Sequence, residues 1–231
     1  MRFQQYNTVL FDLDGTLLNT LQDLAAAGNH ALSALGLPAH PVQDYQNMVG
    51  NGIPTLIRRM LPPQHCGPAT QAVALQLFQK HYTANMFQYT QPYPGIPQLL
   101  AGLRGAGVRL GVLSNKQHNL ACSIVEYYFS GIFQAVAGLQ PGAAPKPDPA
   151  SLLALMESLH ASPAATLYVG DSDVDVLTAH NAGLPACGVL WGFRTRAELE
   201  SAGADTLAAN PEALGKLIVP SNTANRIIQT G

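Results

Sequence analysis

Short apolar runs alternate with stretches of helical periodicity along most of the chain, the order expected of β-α-β units that feed a parallel sheet. Thr8-Val9-Leu10-Phe11 opens the first of these runs, which extends to Leu13. Its apolar positions are continuous rather than alternating, which suits a strand covered on both faces. Further strands are predicted over residues 109–113, 134–137, 166–169 and 186–190. Helices are predicted between them over 96–106, 116–128, 149–159 and 174–182. Gly107 and Gly183 stand where helices stop, and Pro149 suits a first helical turn. A weaker helical pair, 196–202 and 211–218, closes the region. Residues 220–231 are polar and expected to be loose.

One interval breaks the alternation. Between residues 18 and 92 no strand is expected, only helical stretches over 21–35, 52–61 and 69–87. Gly36-Leu37-Pro38 punctuates the interval and Pro92-Tyr93-Pro94-Gly95 ends it. The pattern predicts an α/β protein with a core made of residues 1–17 and 93–219. An all-helical domain, residues 18–92, is inserted after the first strand, and 220–231 form a tail. The insertion point would place that domain above the end of the first strand, as a lid.

The composition narrows the class. Apolar residues make up 47% of the 231 and charged residues 11%, too apolar for a disordered chain. A net charge of −2, with 12 Lys and Arg spread along the chain, argues against a nucleic-acid partner. No apolar stretch reaches the length of a membrane span. Met1 to Tyr6 leave little room for a signal peptide before the first strand. Three cysteines, Cys66, Cys122 and Cys187, lie far apart and without zinc spacing. A reduced, cytoplasmic protein is expected. None of the seven histidines is paired at metal-ligand spacing, and His118 is the one that falls near a motif.

The chemistry gathers at strand ends. Asp12-Leu13-Asp14-Gly15-Thr16 follows the first strand, and open α/β folds bind ligands at the carboxyl ends of their strands. Residues i and i+2 of a strand point the same way. Asp12 and Asp14 could therefore face one ligand together, or one could offer its side chain and the other its carbonyl. Ser114-Asn115-Lys116 follows the second core strand, where Ser and Asn also read as helix caps. Lys146 stands in a proline-rich turn, and Gly170-Asp171-Ser172-Asp173-Val174-Asp175 follows another strand. Each has a plain structural explanation alone; the four together, in this order, point to phosphoryl transfer. Asp12, Asp14, Asp171 and Asp175 bring four negative charges, and Lys146 returns one. A phosphate could not bind there unaided. A hard divalent cation such as Mg²⁺ resolves the imbalance, since it takes carboxylates, carbonyls and water.

This arrangement resembles the haloacid dehalogenase superfamily over most of the chain. The resemblance implies a Rossmann-like core with a helical cap. It makes Asp12 the nucleophile that forms an aspartyl-phosphate, and Asp14 the general acid for the leaving oxygen and then the base for water. Mg²⁺ would be held by the carboxylates of Asp12 and Asp171 and the carbonyl of Asp14. Asp175 would reach the metal through water or orient Lys146. Ser114, Asn115 (through its backbone) and Lys146 would hold the phosphoryl group, and Thr16 would buttress the Asp12–Asp14 loop. The superfamily's dehalogenases lack an acid at the position of Asp14, so phosphate is favoured over halide.

Substrate choice would lie in the insert. Gly50-Asn51-Gly52 reads either as a turn or as a loop touching the leaving group. With Arg58 or Arg59 behind it, it looks like the phosphoglycolate phosphatase branch, where an arginine could meet the glycolate carboxylate. Adjacent helical residues lie about 100° apart, so only one of the two arginines could face inward. Trp191-Gly192-Phe193 also matches that branch, but the preferred reading is a core-edge aromatic pair. Asn19-Thr20 replaces the branch's usual Asp-Ser. The expected activity is a Mg²⁺-dependent phosphomonoesterase for a small molecule, 2-phosphoglycolate first, acting as a monomer or homodimer. The alternatives are a β-phosphoglucomutase-like isomerase, a phosphatase for a sugar phosphate or pyrophosphate, and a non-catalytic binding protein on the same fold.

Overall fold

The computed structural model describes residues 6–219; the predicted tail, 220–231, lies outside them. Six strands form one parallel sheet in the order β5-β4-β1-β6-β7-β8. They are β1 Thr8–Phe11, β4 Arg109–Gln117, β5 Ala135–Leu139, β6 Thr166–Gly170, β7 Ala186–Val189 and β8 Thr206–Ala208. β1 is central, with Thr8 in register with Arg109 on one side and Thr166 on the other. The chain order reverses on either side of β1, which opens a crevice at its carboxyl end.

Alternation along β1 sorts the two faces. Val9 and Phe11 join a cluster with α4 (Ile96–Gly105), α5 (His118–Phe129) and α9 (Pro211–Ile218). Leu10 points the other way, into a cluster with α6 (Ala150–Ser158), α7 (Asp173–Asn181) and α8 (Arg196–Ser201). All four β1 residues are buried, as the continuous apolar run requires. The first cluster continues through Leu13, Leu17 and Leu18 into the helices of the 18–92 interval. These are α1 Leu21–Ala34, α2 Ile53–Met60 and α3 Pro68–Asn85.

Three details differ from the sequence expectation. The interval between residues 18 and 92 is not free of strand: β2 (Leu18–Asn19) pairs antiparallel with β3 (Gln91–Pro92) where the chain enters and leaves the helices. Two residues are too short to show any alternation. Asp23 of α1 ties the same junction, accepting the Thr90 N–H at 2.8 Å, the Thr90 hydroxyl at 2.7 Å and the Tyr89 N–H at 3.1 Å. The short β8 also escaped prediction. Finally, β4 runs on to Gln117, so Ser114-Asn115-Lys116 lies at a strand end and not at a helix start. The register against β5 shifts between Leu113 and Gln117, so the polar triplet extends the strand past its regular pairing. Among the described residues no helix is long and apolar enough to cross a membrane.

Candidate active site

Asp12 extends β1 by one residue: its N–H donates to the Val169 carbonyl at 2.9 Å, and it is 6% exposed. The chain then turns on Gly15, whose φ of +91° is one that residues with a side chain rarely adopt. A Cβ there would also lie 2.3 Å from Asp171 Oδ2. Gly192 meets the same carboxylate from the other side, where a Cβ would sit 2.2 Å from Asp171 Cβ. Two glycines thus let three loops close on Asp171. Its Oδ2 accepts the Phe193 N–H at 2.7 Å and its Oδ1 the Thr16 hydroxyl at 3.3 Å. The Trp191 indole N–H donates to the Thr16 carbonyl at 2.9 Å. Trp191-Gly192-Phe193 therefore does more than pack at the core edge: it holds Thr16 and Asp171 in place.

Lys146 bridges the two sides of the crevice. Its Nζ donates to Asp12 Oδ1 and Asp175 Oδ1, both at 2.7 Å, and to the Tyr168 hydroxyl oxygen at 3.2 Å. Burial opposes its charge, but Asp12 and Asp175 outweigh that and hold the ammonium well above its ordinary range. Asp175 is fixed in turn by a capping box at the start of α7. Its Oδ2 accepts the Ser172 hydroxyl at 2.6 Å and the Ser172 N–H at 3.1 Å. With both oxygens engaged, Asp175 is built to orient Lys146, and Tyr168, whose hydroxyl also reaches Asp175, braces the pair.

One carboxylate of Asp12, Asp171 and Asp175 each can place an oxygen within 4.8 Å of the others. Burial is the main reason the Asp171 carboxyl is pushed up to about 7, with Asp175 adding to it against the Phe193 N–H. Burial likewise raises Asp12 against the pull of Lys146. Three buried acids facing one lysine form an under-compensated oxygen cluster, the donor set that a hard divalent cation fits. Asp12 and Asp171 are the residues that would hold it.

A second lysine changes the charge count. Lys116, at the end of β4, is 5% exposed. Its Nζ lies 3.1 Å from Asp14 Oδ2 and donates to the Tyr82 hydroxyl of α3 at 2.8 Å. Burial opposes its charge too, and Asp14 and Tyr82 reverse the effect. Lys146 is therefore not the single cation that the sequence suggested. Asp12, Asp14, Asp171 and Asp175 still outnumber the cations near them, Lys116, Lys146 and Arg194. The other oxygen of Asp14, Oδ1, is buried with no hydrogen-bond partner.

These groups line one cavity of about 50 Å³. Asp12, Asp14, Ser114, Asn115, Lys116, Lys146 and Asp171 form its floor; Leu24, Val49, Ile53 and Leu56 of the helical insert form an apolar roof. Gly50 and Gly52 reach it. Asn51 and Arg58 do not: Asn51 faces a separate groove, and Arg58 is exposed. The inward face of α2 carries Leu56, Ile57 and Met60. Arg59 is also turned away and donates to the carbonyls of Asn47 and Met48. The arginine that does line the cavity is Arg194, after β7, which donates to the Gln46 carbonyl and to the Val49 carbonyl at 2.9 Å. Asn115 joins it: its Nδ2 donates to the Gly50 carbonyl at 3.0 Å, and its Oδ1 accepts the Lys146 N–H at 2.8 Å. His118 lies at the start of α5, where its Nδ1 accepts the Gly138 N–H at 3.2 Å, and does not line the cavity.

The chain is similar to known proteins over most of its length. Residues 9–189 match the model of the haloacid dehalogenase-like hydrolases. The chain is 36% identical over 220 residues to a plasmid-borne phosphoglycolate phosphatase of Cupriavidus necator, covering 94% of each chain. It is 33% identical to the phosphoglycolate phosphatase of Aquifex aeolicus, covering 91% of this chain and 95% of that one. A crystal structure from Lactobacillus delbrueckii, provisionally named a phosphoglycolate phosphatase, superposes with a TM-score of 0.89 at 29% identity, covering 93% and 98%. CbbY from Rhodobacter sphaeroides, in complex with phosphate, does so at 0.76 and 27% identity, covering 91% and 97%. The chain belongs to the haloacid dehalogenase-like hydrolase family, in its phosphoglycolate phosphatase-like branch.

Proposed function

We propose that the protein is a Mg²⁺-dependent phosphomonoesterase that works through an aspartyl-phosphate, with 2-phosphoglycolate as substrate. The supporting observation is the pairing of two unlike acids at one cavity: Asp12, held by Lys146 at 2.7 Å, and Asp14, whose Oδ1 is buried without a partner. Asp12 attacks phosphorus as the ester P–O bond breaks, and Asp14 gives its proton to the leaving oxygen. Asp14 then takes a proton from the water that attacks the phosphorus of the aspartyl-phosphate. Inorganic phosphate leaves and the Asp12 carboxylate is restored. Ser114 and Lys146 steady the phosphoryl oxygens throughout. Asp12 and Asp171 would hold Mg²⁺, which when bound would supply charge neutralisation for the phosphoryl group.

In this reading residues 18–92 are a cap on a core of residues 1–17 and 93–219. The apolar roof shields the charged floor from bulk solvent. A cavity of about 50 Å³ holds a few water-sized groups. Three unpaired thiols support placing the reaction in the reducing cytoplasm. Phosphate release from 2-phosphoglycolate by purified protein with Mg²⁺ tests the proposal. Asp12→Asn should lower kcat at least about 10³-fold, as loss of a nucleophile does. No release from 2-phosphoglycolate or any other small phosphomonoester would sink it.

A further inference from the structure

We infer that Lys116 reads the leaving group, selecting phosphomonoesters whose alcohol is a short 2-hydroxy acid. The inference rests on the phosphatase reading above. It begins with a cost: an ammonium group in a 5% exposed site loses most of its hydration, which only well-placed acceptors recover. Lys116 has two, Asp14 Oδ2 at 3.1 Å and the Tyr82 hydroxyl at 2.8 Å, for three N–H groups. It also lines the cavity, so a ligand can supply the third.

Position identifies that ligand. The leaving oxygen must come to Asp14, whose Oδ1 is the buried atom without a partner. Lys116 sits on the other oxygen of the same carboxylate. A substituent on the carbon next to the leaving oxygen therefore falls within reach of Nζ. The roof beside it, Leu24, Ile53 and Leu56, is apolar and strengthens a charge pair made there. A carboxylate at that carbon is the group that would be drawn in, and the apolar roof offers the hydroxyls of a longer chain no partner.

The remaining cations at the cavity are engaged. Lys146 holds Asp12 and Asp175. Arg194 has acceptors for Nη1 and Nη2 in the carbonyls of Gln46 and Val49, and its Nε lies 3.9 Å from Asp173. Arg58 and Arg59 line no part of the cavity.

The test compares 2-phosphoglycolate with ethyl phosphate, which has the same two-carbon frame and no carboxylate, in wild type and Lys116→Met with Mg²⁺. Both esters lose the lysine that holds Asp14, but only the acid loses a charge partner. A charge-assisted hydrogen bond corresponds to about tenfold or more. The ratio of kcat/KM between the two esters should therefore fall at least about tenfold, chiefly through a higher KM for 2-phosphoglycolate. If Lys116→Met does not fold, as judged by circular dichroism, Lys116→Gln is measured instead with the same expectation. An unchanged ratio in the folded variant overturns the inference and leaves the phosphatase reading standing. A wild type that releases phosphate from other small phosphomonoesters but not from 2-phosphoglycolate overturns the inference alone; one that releases it from none overturns the phosphatase reading itself.

Discussion

A methyl group at position 192 has nowhere to go. It would stand 2.2 Å from Asp171 Cβ and 2.6 Å from the Gly15 carbonyl oxygen, and neither backbone nor Asp171 can yield without moving a proposed metal ligand. Gly192→Ala should therefore weaken Mg²⁺ binding by about 10–100-fold, the range seen when groups that orient metal ligands are lost. Isothermal titration should show this while the circular dichroism spectrum stays that of wild type. Unaltered Mg²⁺ affinity would mean that Asp171 does not hold the ion. The acids that line the cavity were legible in the sequence because they follow apolar runs at strand ends. Tyr168, Arg194 and the second role of Trp191-Gly192-Phe193 were not, because their partners lie up to 175 positions away. Lys116 stood in the polar triplet that the sequence singled out at the end of β4, but only Ser114 and Asn115 were given a role there.

At the level of elements, the loop over the site is held by its backbone. Arg194 and Asn115 donate to the carbonyls of Gln46, Val49 and Gly50, so the core grips residues 46–50 whatever side chains they carry. The alternation of strand and helix made the five longer core strands and the helical interruption readable. It could not show β2, β3 or β8, which are two or three residues long, nor where β4 ends, since polar residues there serve the site rather than the core. It also could not orient α2. Arg58 faces solvent because Leu56, Ile57 and Met60 take the buried face. The grip on the loop has a measurable consequence. Arg194→Met removes two hydrogen bonds from a charged donor, each worth about 1.5–3 kcal/mol when buried. Amide exchange over residues 46–52 should rise at least tenfold, and KM should rise more than kcat falls. If exchange there is unaltered, Arg194 is not what holds the loop.

For the whole molecule, the acids that make the site are a liability until a cation arrives. In the metal-free chain the Asp171 carboxyl is pushed up to about 7, against an ordinary 3.8, chiefly by burial. Between about pH 4 and pH 7 the folded chain thus holds a proton that the unfolded chain has released. Folded protein binding more protons means stability that falls as pH rises through that window, so metal-free protein should melt lower at pH 8 than at pH 5.5. A divalent cation takes the proton's place. Its binding competes with protonation and strengthens as pH rises towards 7. At a hundredfold excess over Kd it adds about 2.7 kcal/mol, or about 5–10 °C in Tm for a domain of this size. Thermal melts with and without Mg²⁺ at the two pH values therefore make one joint prediction. The gain in Tm from Mg²⁺ should be several degrees larger at pH 8, because there the ion relieves a buried negative charge, whereas at pH 5.5 it must displace a proton that has already done so. Equal gains at both values would show that the ion binds away from Asp171, and the charge imbalance at the end of β1 would need another answer.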